Sequence, residues 1–398
     1  MRSGTTFASG FRAGGVACGI KKDGKKDLAI VASDVPATGW ALFTTNQVKG
    51  APVLLSRSHL RAASMRAVVV NSGNANTVTK DGLLHARMMT DAVASALGCR
   101  PSEVLIAATG VIGQPLPIDK VLTGIQILMP QLSVEGGSDL SEAILTTDTG
   151  LKEAHASFKM GPREVRIGGC AKGAGMIHPS VATLLVFVTT DAAISKPVLR
   201  EALTRANELS FHRITIDGDT STSDTLVLMA NGASSASQIT KPSGPNYSKF
   251  LDNLVGVCQT LAQEVVRDGE GASKFITVRV TGAISENRAK QVAMTIARSS
   301  LVKTALFGED ANWGRILCAA GYSGVPLDVH KLTLRMNQEL IFHHGGLAGD
   351  EWEQRVAPTL KNRDIEIHLD LGAGKAGAEV WTCDLTYDYV KINAHYRT

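Results

Sequence analysis

Six cysteines in 398 residues fall at positions 18, 99, 170, 258, 318 and 383, with no CxxC pair among them. That scatter excludes a zinc ribbon and a disulfide framework, and a reducing compartment is the simplest setting. No segment reaches the roughly 20 consecutive apolar residues that cross a bilayer, so no membrane partner is expected. The opening MRSGTTFASGFRAGGVACGIKKDG lacks the apolar stretch of a secretory signal and is too rich in glycine for a clean amphipathic presequence, which points to the cytoplasm. Lysine and arginine are nowhere interleaved with aromatics, and a net charge of +4 is small for this length, so nucleic acid is not an expected partner. The local cluster Lys21, Lys22, Lys25 and Lys26 reads as a solvated turn around Asp23 and Gly24. Metal motifs are missing too. His343 and His344 have no H-E-x-x-H pattern, and D-G-D-T-S-T-S-D, with Asp217, Asp219 and Asp224, lacks the glycine and terminal-glutamate spacing of a calcium loop and reads as a turn bordering an active site. GGCAKGAG, Gly168 to Gly175, departs from a phosphate-binding loop because Lys172 is followed by Gly173 and Ala174.

What is present suffices for a large core. Hydrophobic residues make up 44% of the chain and charged residues 20%, enough for one large core or two ordinary ones. Short β-branched runs at Ala67 to Val70, Val104 to Ala107, Leu184 to Val188, Thr225 to Met229, Phe275 to Val280 and Ile365 to Leu371 read as strands. Leu84, Met88, Val93 and Leu97, closed by Gly98, have helical spacing and a stop signal. Leu251 to Val265 and Ala289 to Ala297 repeat that spacing. The mixture is an α/β chain with sheets covered by helices. KPSGPNY, Lys241 to Tyr247, and GGLAGD, Gly345 to Asp350, read as loops.

The segment Ala171 to Asp191, AKGAGMIHPSVATLLVFVTTD, runs from a glycine-rich approach through Ala182 and Thr183 into an apolar strand. By position alone Thr183 is the first residue of that strand. If the Ala182–Thr183 bond were cut, Thr183 would hold a nucleophilic hydroxyl and an α-amine on one residue. Such an amine has a pKa of about 7.7–8.0 and can act as the base near neutral pH, with no histidine required.

K-G-A-G-M-I-x-P-x-x-A-T-L-L resembles the self-cleavage signature of the ornithine acetyltransferases, also called bifunctional glutamate N-acetyltransferases, of arginine biosynthesis. Further segments resemble the same family in the same order: NSGNAN at Asn71, ATGVIG at Ala108, TTDT at Thr146, DGDTSTSDT at Asp217, DGEGASKFI at Asp268, DANWGRI at Asp310 and the terminal DYVKINAHYRT. Ordered motifs along nearly the whole chain are far harder to meet by accident than one.

The resemblance implies a DmpA/ArgJ-like fold of the self-cleaving, N-terminal-nucleophile type: a sandwich of helix-covered sheets with a smaller C-terminal α/β region. It implies an α chain of residues 1–182 and a β chain of 183–398, assembled as an α2β2 heterotetramer. The implied activity moves acetyl from N2-acetylornithine to glutamate through acetyl-Thr183, with no cofactor; whether acetyl-CoA is also a donor is left open. Thr109 and Gly110 are implied as oxyanion donors. Lys172, Glu270, Asn393 and Thr398 are implied as substrate contacts, together with Thr146 or Thr147, between which the sequence does not choose. His178, Ser180 and His212 stand where relatives often have other residues. In eukaryotic relatives the family is mitochondrial. A hydrolase of related fold that releases its acyl group to water is the alternative.

Overall fold

The protein, seen in a computed structural model, is described here for residues 2–178 and 184–395. The chain divides into two units, one of Met1–His212 with Asp219–Val265 and a second of Arg213–Gly218 with Val266–Arg397.

In the first unit the described strands are β1 (Phe11–Val16), β2 (Leu28–Phe43), β3 (Met65–Asn74), β4 (Val104–Val111), β5 (Lys152–Met160), β6 (Arg163–Lys172), β7 (Leu185–Thr190) and β8 (Thr225–Ala230). They hydrogen-bond in the order β4-β3-β2-β8-β7-β6-β5, with β1 also on β2. The β3–β4 and β7–β8 pairs are parallel. Strand β2 is the hinge of this sheet: its first half pairs with β1 and β3, its register breaks between Ala32 and Ala37, and its second half pairs with β8.

Alternation along the strands sorts residues to two faces. Val68, Val70 and Leu105 share one apolar cluster with Phe187, Val227 and Met229, so both halves of the sheet bury a face in a common core. Ala67, Val69, Val104 and Ile106 belong to a second cluster with Ala86, Met89 and Val93 of α2 (Gly82–Leu97) and Val121 and Ile125 of α3 (Ile118–Leu128). Helix α1 (Ala51–His59) precedes α2 in the chain. Its Ser56 hydroxyl donates to Ile106 O at 2.7 Å, tying it to β4. Helix α2 ends where its sequence says it must, at Gly98, whose φ of 62° is left-handed. Helices α4 (Gly137–Ala143), α5 (Lys196–Glu208) and α6 (Pro245–Arg267) complete the set that begins in this unit.

The second unit is built on a sheet of order β12-β11-β10-β13-β9-β14, comprising β9 (Phe275–Ala283), β10 (Thr333–Met336), β11 (Glu339–His343), β12 (Gly346–Leu347), β13 (Asp364–Asp370) and β14 (Ala376–Cys383). Ile276, Val278 and Val280 of β9 pack with Ala289, Val292, Ala293 and Ile296 of α7 (Glu286–Arg298). On the opposite side of β9, Arg279 pairs with Glu379 at 3.0 Å. Helix α7 starts at Ser285, whose hydroxyl accepts from Arg288 N at 3.3 Å. Helices α8 (Ser300–Phe307), α9 (Trp313–Gly321), α10 (Trp352–Val356) and the terminal α11 (Tyr387–His395) follow.

Two segments read as loops are partly regular. Pro245 already opens α6, a favoured place for proline because its missing N–H costs nothing in the first turn. GGLAGD contains β12, which pairs with β11. Strands β1, β5 and β6 escape sequence reading because glycines and charged residues interrupt their apolar pattern.

Candidate active site

Lys172 is the last residue of β6 and pairs across the sheet with Leu185, the first residue of β7. Thr183 precedes that pair by two positions in the chain. Ala182 and Thr183, like Ser180 and the terminal Thr398, lie outside the described residues.

Around Lys172 the first unit gathers residues from three separate stretches. Its ammonium donates to Thr146 Oγ1 at 2.5 Å and to Thr109 Oγ1 at 3.5 Å, and lies 3.6 Å from Asp148. Thr147 has no hydrogen bond among the described residues, so of the two candidate threonines it is Thr146 that joins this cluster.

Asp148 is the hub. It accepts from Lys152 Nζ at 2.7 Å, Gly173 N at 2.6 Å and Thr146 N at 3.1 Å. Its side chain is 0% exposed and those of Lys152 and Lys172 are 2% exposed. Burial by itself would raise the pKa of this carboxyl, but Lys172, Lys152 and the Gly173 N–H outweigh it and hold Asp148 well below the usual carboxylate range. A single carboxylate therefore faces two ammonium groups in a dry setting.

Thr109 and Gly110 stand just before Val111, the last residue of β4, in register with Ser72 and Gly73 of β3. Gly110 has a φ of 128°, and a Cβ there would meet the Gly73 carbonyl carbon at 2.3 Å. Only glycine fits. The neighbouring NSGNAN segment wires this corner: Asn71 Nδ2 donates to Asn74 O at 2.8 Å, and Asn74 Oδ1 accepts from Asn76 N at 2.8 Å.

Leu184 is held from the other side. Its N–H donates to Asp224 Oδ1 at 3.1 Å, and its carbonyl accepts from Thr225 N at 3.0 Å. Asp224 is fully buried, with the Thr44 and Ser221 side chains beside its carboxyl. Desolvation pushes its pKa well above the usual carboxylate range.

In the second unit Glu270 and Asn393 come together, with Asn393 Nδ2 donating to Glu270 Oε2 at 2.8 Å. The turn after Glu270 presses on α11, since a Cβ on Gly271 would lie 2.6 Å from Tyr389 N, and Thr386 Oγ1 donates to Gly271 O at 2.8 Å. Of the sequence candidates, then, Thr109, Thr146 and Lys172 form one group and Glu270 and Asn393 another. Sequence reasoning missed Asp148 and Lys152, and met Asp224 only as part of the Asp217–Asp219–Asp224 string, read as a turn bordering the active site. Two of them stand inside quoted motifs, TTDT and DGDTSTSDT, but nothing in those strings says which aspartate is buried. Among the described residues no group of three or more His, Cys, Asp or Glu is placed to hold a metal ion. No helix among them is long and apolar enough to cross a membrane.

Helix-covered sheets, with a buried ammonium–carboxylate cluster at the strand ends, define an α/β protein whose polar chemistry is concentrated beside the β6–β7 connection. The chain belongs to the ArgJ family, which it matches over residues 12–398. It is 47% identical over 401 residues to the arginine biosynthesis bifunctional protein ArgJ of Symbiobacterium thermophilum, covering 100% of this chain and 99% of that protein. It is 44% identical over 399 residues to the protein of the same name from Gloeobacter violaceus, covering 99% and 98%. The crystal structure of the arginine biosynthesis bifunctional protein ArgJ from Bacillus halodurans matches with a TM-score of 0.51 at 43% identity, covering 53% of this chain and 98% of that one.

Proposed function

We propose that this protein is an ornithine acetyltransferase that moves the acetyl group of N2-acetylornithine to glutamate, through an acetyl ester on Thr183. The observation that carries the reading is the Lys172–Thr146–Thr109 cluster, set on the strand that pairs with the one Thr183 leads into, in a member of a family whose relatives are named for arginine biosynthesis.

The Thr183 hydroxyl first attacks the Ala182 carbonyl, shifting the acyl group from nitrogen to oxygen. Water opens the resulting ester and leaves Thr183 with a free α-amine. Support comes from length: the matched Bacillus halodurans chain is covered almost whole by about half of this one, the size that a break at 182–183 would give. In turnover the α-amine takes the hydroxyl proton as Thr183 Oγ1 attacks the acetyl carbonyl, then passes it to the departing ornithine amine. Glutamate's amine attacks the acetyl ester in the second half, and the proton returns to Thr183.

Both halves pass through a tetrahedral oxyanion. Thr109 and the Gly110 backbone N–H are assigned to it, a placement that suits a glycine whose lack of a side chain permits close approach. Lys172, poised by Thr146 and Asp148, is assigned to the substrate carboxylate. Glu270, with Asn393 and Thr398, is assigned to the substrate amine. The word bifunctional in the relatives' names supports a second donor, and acetyl-CoA is the one proposed. An α2β2 assembly of the two cut chains and a cytoplasmic setting complete the reading.

Intact mass spectrometry tests it. Wild-type protein should give fragments meeting at Ala182 and Thr183, with an acetyl adduct on the second after incubation with acetylornithine, while Thr183→Ala should stay whole and inactive. Acetyl release to water without any need for glutamate would favour the related hydrolase instead.

A further inference from the structure

Trp40 stands on the second half of β2, where half-buried Thr38, Trp40 and Leu42 alternate with buried Ala37, Gly39 and Ala41. Ala37 and Ala41 face the common core. Phe43 packs on that core too, and its register runs through Thr225 and Leu185 to Lys172. An odd step along a strand reverses the face, so Trp40 lies on the side of the sheet away from Lys172.

On that side a cavity of about 870 Å³ opens between β2, α1 and the start of α5. Its walls hold Lys49, Arg57, Arg61, Lys196 and Arg200, and no Asp or Glu lines it among the described residues. Two of the cations are fixed in place. Lys196 Nζ donates to Leu60 O at 2.6 Å and to Ala62 O at 2.7 Å, and the Lys49 ammonium donates to Asn46 O. The guanidinium groups of Arg57, Arg61 and Arg200 make no hydrogen bond or ion pair among the described residues. Arg200 lies over the Trp40 ring instead, 5.1 Å from its centroid, with Lys196 Nζ at 5.9 Å. Desolvation lowers the Lys196 pKa with no charged neighbour offsetting it. Cations gathered around one space with no carboxylate among them draw an anion into it.

We propose that this cavity is a binding site for a nucleotide carrying several phosphates. Its volume falls in the upper part of the range for small-molecule sites, roughly 300–1,000 Å³, and is far more than a lone inorganic anion fills. Arginine forks match phosphate oxygens in pairs, and an indole ring beside them is a surface on which a base stacks. Five cations suit a chain of phosphates better than a single carboxylate. A free nucleoside polyphosphate and the nucleotide end of coenzyme A share this chemistry. The inference stands apart from the acetyl-threonine reading, because its residues lie on the other face of the sheet from Lys172. Sequence reading does not find the site, since Trp40 meets the cations of 49–61 and 196–200 only after folding.

Isothermal titration calorimetry of the full-length protein with ATP, coenzyme A and inorganic pyrophosphate is the test. ATP or coenzyme A should bind saturably, and the tighter of the two names the source of the nucleotide. Arg57 and Arg61 are exposed, so Arg57→Ala combined with Arg61→Ala should fold and should weaken that binding at least about tenfold. Trp40→Leu should weaken nucleotide binding about tenfold while leaving pyrophosphate within about twofold of wild type. Trp40→Phe covers a failure of the leucine variant to fold, because it keeps a ring and should retain most of the affinity. If none of the three ligands binds, the proposal is overturned, and a loss of assembled mass in Arg57→Glu by light scattering would then make the cavity a contact between copies. Nucleotide binding that the arginine and tryptophan changes leave unaltered would overturn it as well, by placing the ligand elsewhere. Equal affinity for pyrophosphate and nucleotides, with Trp40→Leu neutral, would replace the nucleotide with a simple anion.

Discussion

Thr146 Oγ1 receives the Lys172 ammonium at 2.5 Å, and this bond links the loop before β5 to the end of β6. The pair separates two neighbouring threonines that look alike in TTDT. Thr146→Val keeps the shape and removes the acceptor, leaving a buried ammonium short of a partner, at a cost of about 1–3 kcal/mol. Turnover of acetylornithine should fall roughly 10- to 100-fold, against less than about threefold for Thr147→Val. Equal effects in steady-state kinetics would remove Thr146 from the site.

Asp148 should prove the more costly residue to lose. It pairs with both Lys152 and Lys172, each 2% exposed, and removing one partner from a buried ion pair typically costs about 3–5 kcal/mol. Asp148→Ala should therefore lower the urea midpoint sharply, and a variant as stable as wild type would mean the lysines find other partners.

The same carboxyl makes stability depend on acid. Its folded pKa is depressed below the unfolded value of about 3.9, so its contribution is complete above that value and is lost as pH falls toward the folded one. Unfolding followed from pH 6 down to about pH 2 should show a loss that is smaller in Asp148→Asn. Parallel curves for the two proteins would contradict the assignment.

Asp224 has the opposite sign. Its folded pKa is raised, so its contribution is present below about 3.9 and declines as pH rises through the folded value. In the uncut Thr183→Ala background, adding Asp224→Asn should improve relative stability progressively as pH rises above about 4. A difference that does not change with pH would show that the acid is paired in the uncut chain.

Gly110→Ala should damage both fold and chemistry. The added methyl would lie 2.3 Å from Gly73 C at a φ of 128°, and strain of that kind costs at least about 1–3 kcal/mol. Alanine keeps the backbone N–H assigned to the oxyanion but would displace it, so turnover should fall toward the roughly 100- to 1,000-fold loss seen when such a donor is removed. Thr109→Ser, which keeps the hydroxyl that Lys172 reaches, should stay within about tenfold of wild-type turnover. If Gly110→Ala were as stable and as active as wild type, the close packing of β3 on β4 would not constrain the site.

Much of the scaffold was legible in the chain. Val68 to Val70 and Leu185 to Val188 are strands because β-branched residues there bury both faces, and Gly98 ends α2 because it alone takes φ of 62° without strain. Strands β5 and β6 were not legible. Lys152 and Lys172 cap them in positions that look like surface lysines, and glycines at 168 and 169 break the pattern. The Asp148 cluster joins residues up to 63 apart, as Lys172 and Thr109 are, which no local periodicity reports.

The amino-acid order alone determined the apolar strands, the helix stops, the ordered motifs that mark the ArgJ family and the Ala182–Thr183 junction, because each depends on neighbours along the chain. Which aspartates are buried, and beside what, was decided only by folding. Asp148 and Asp224 are the same side chain in similar polar strings, yet one is buried against two lysines and the other is fully buried with chiefly neutral donors around it, so their proton affinities move in opposite directions. Desolvation and counter-charge are properties of a three-dimensional surrounding, and the chain acquires them only when strands distant in sequence pack together.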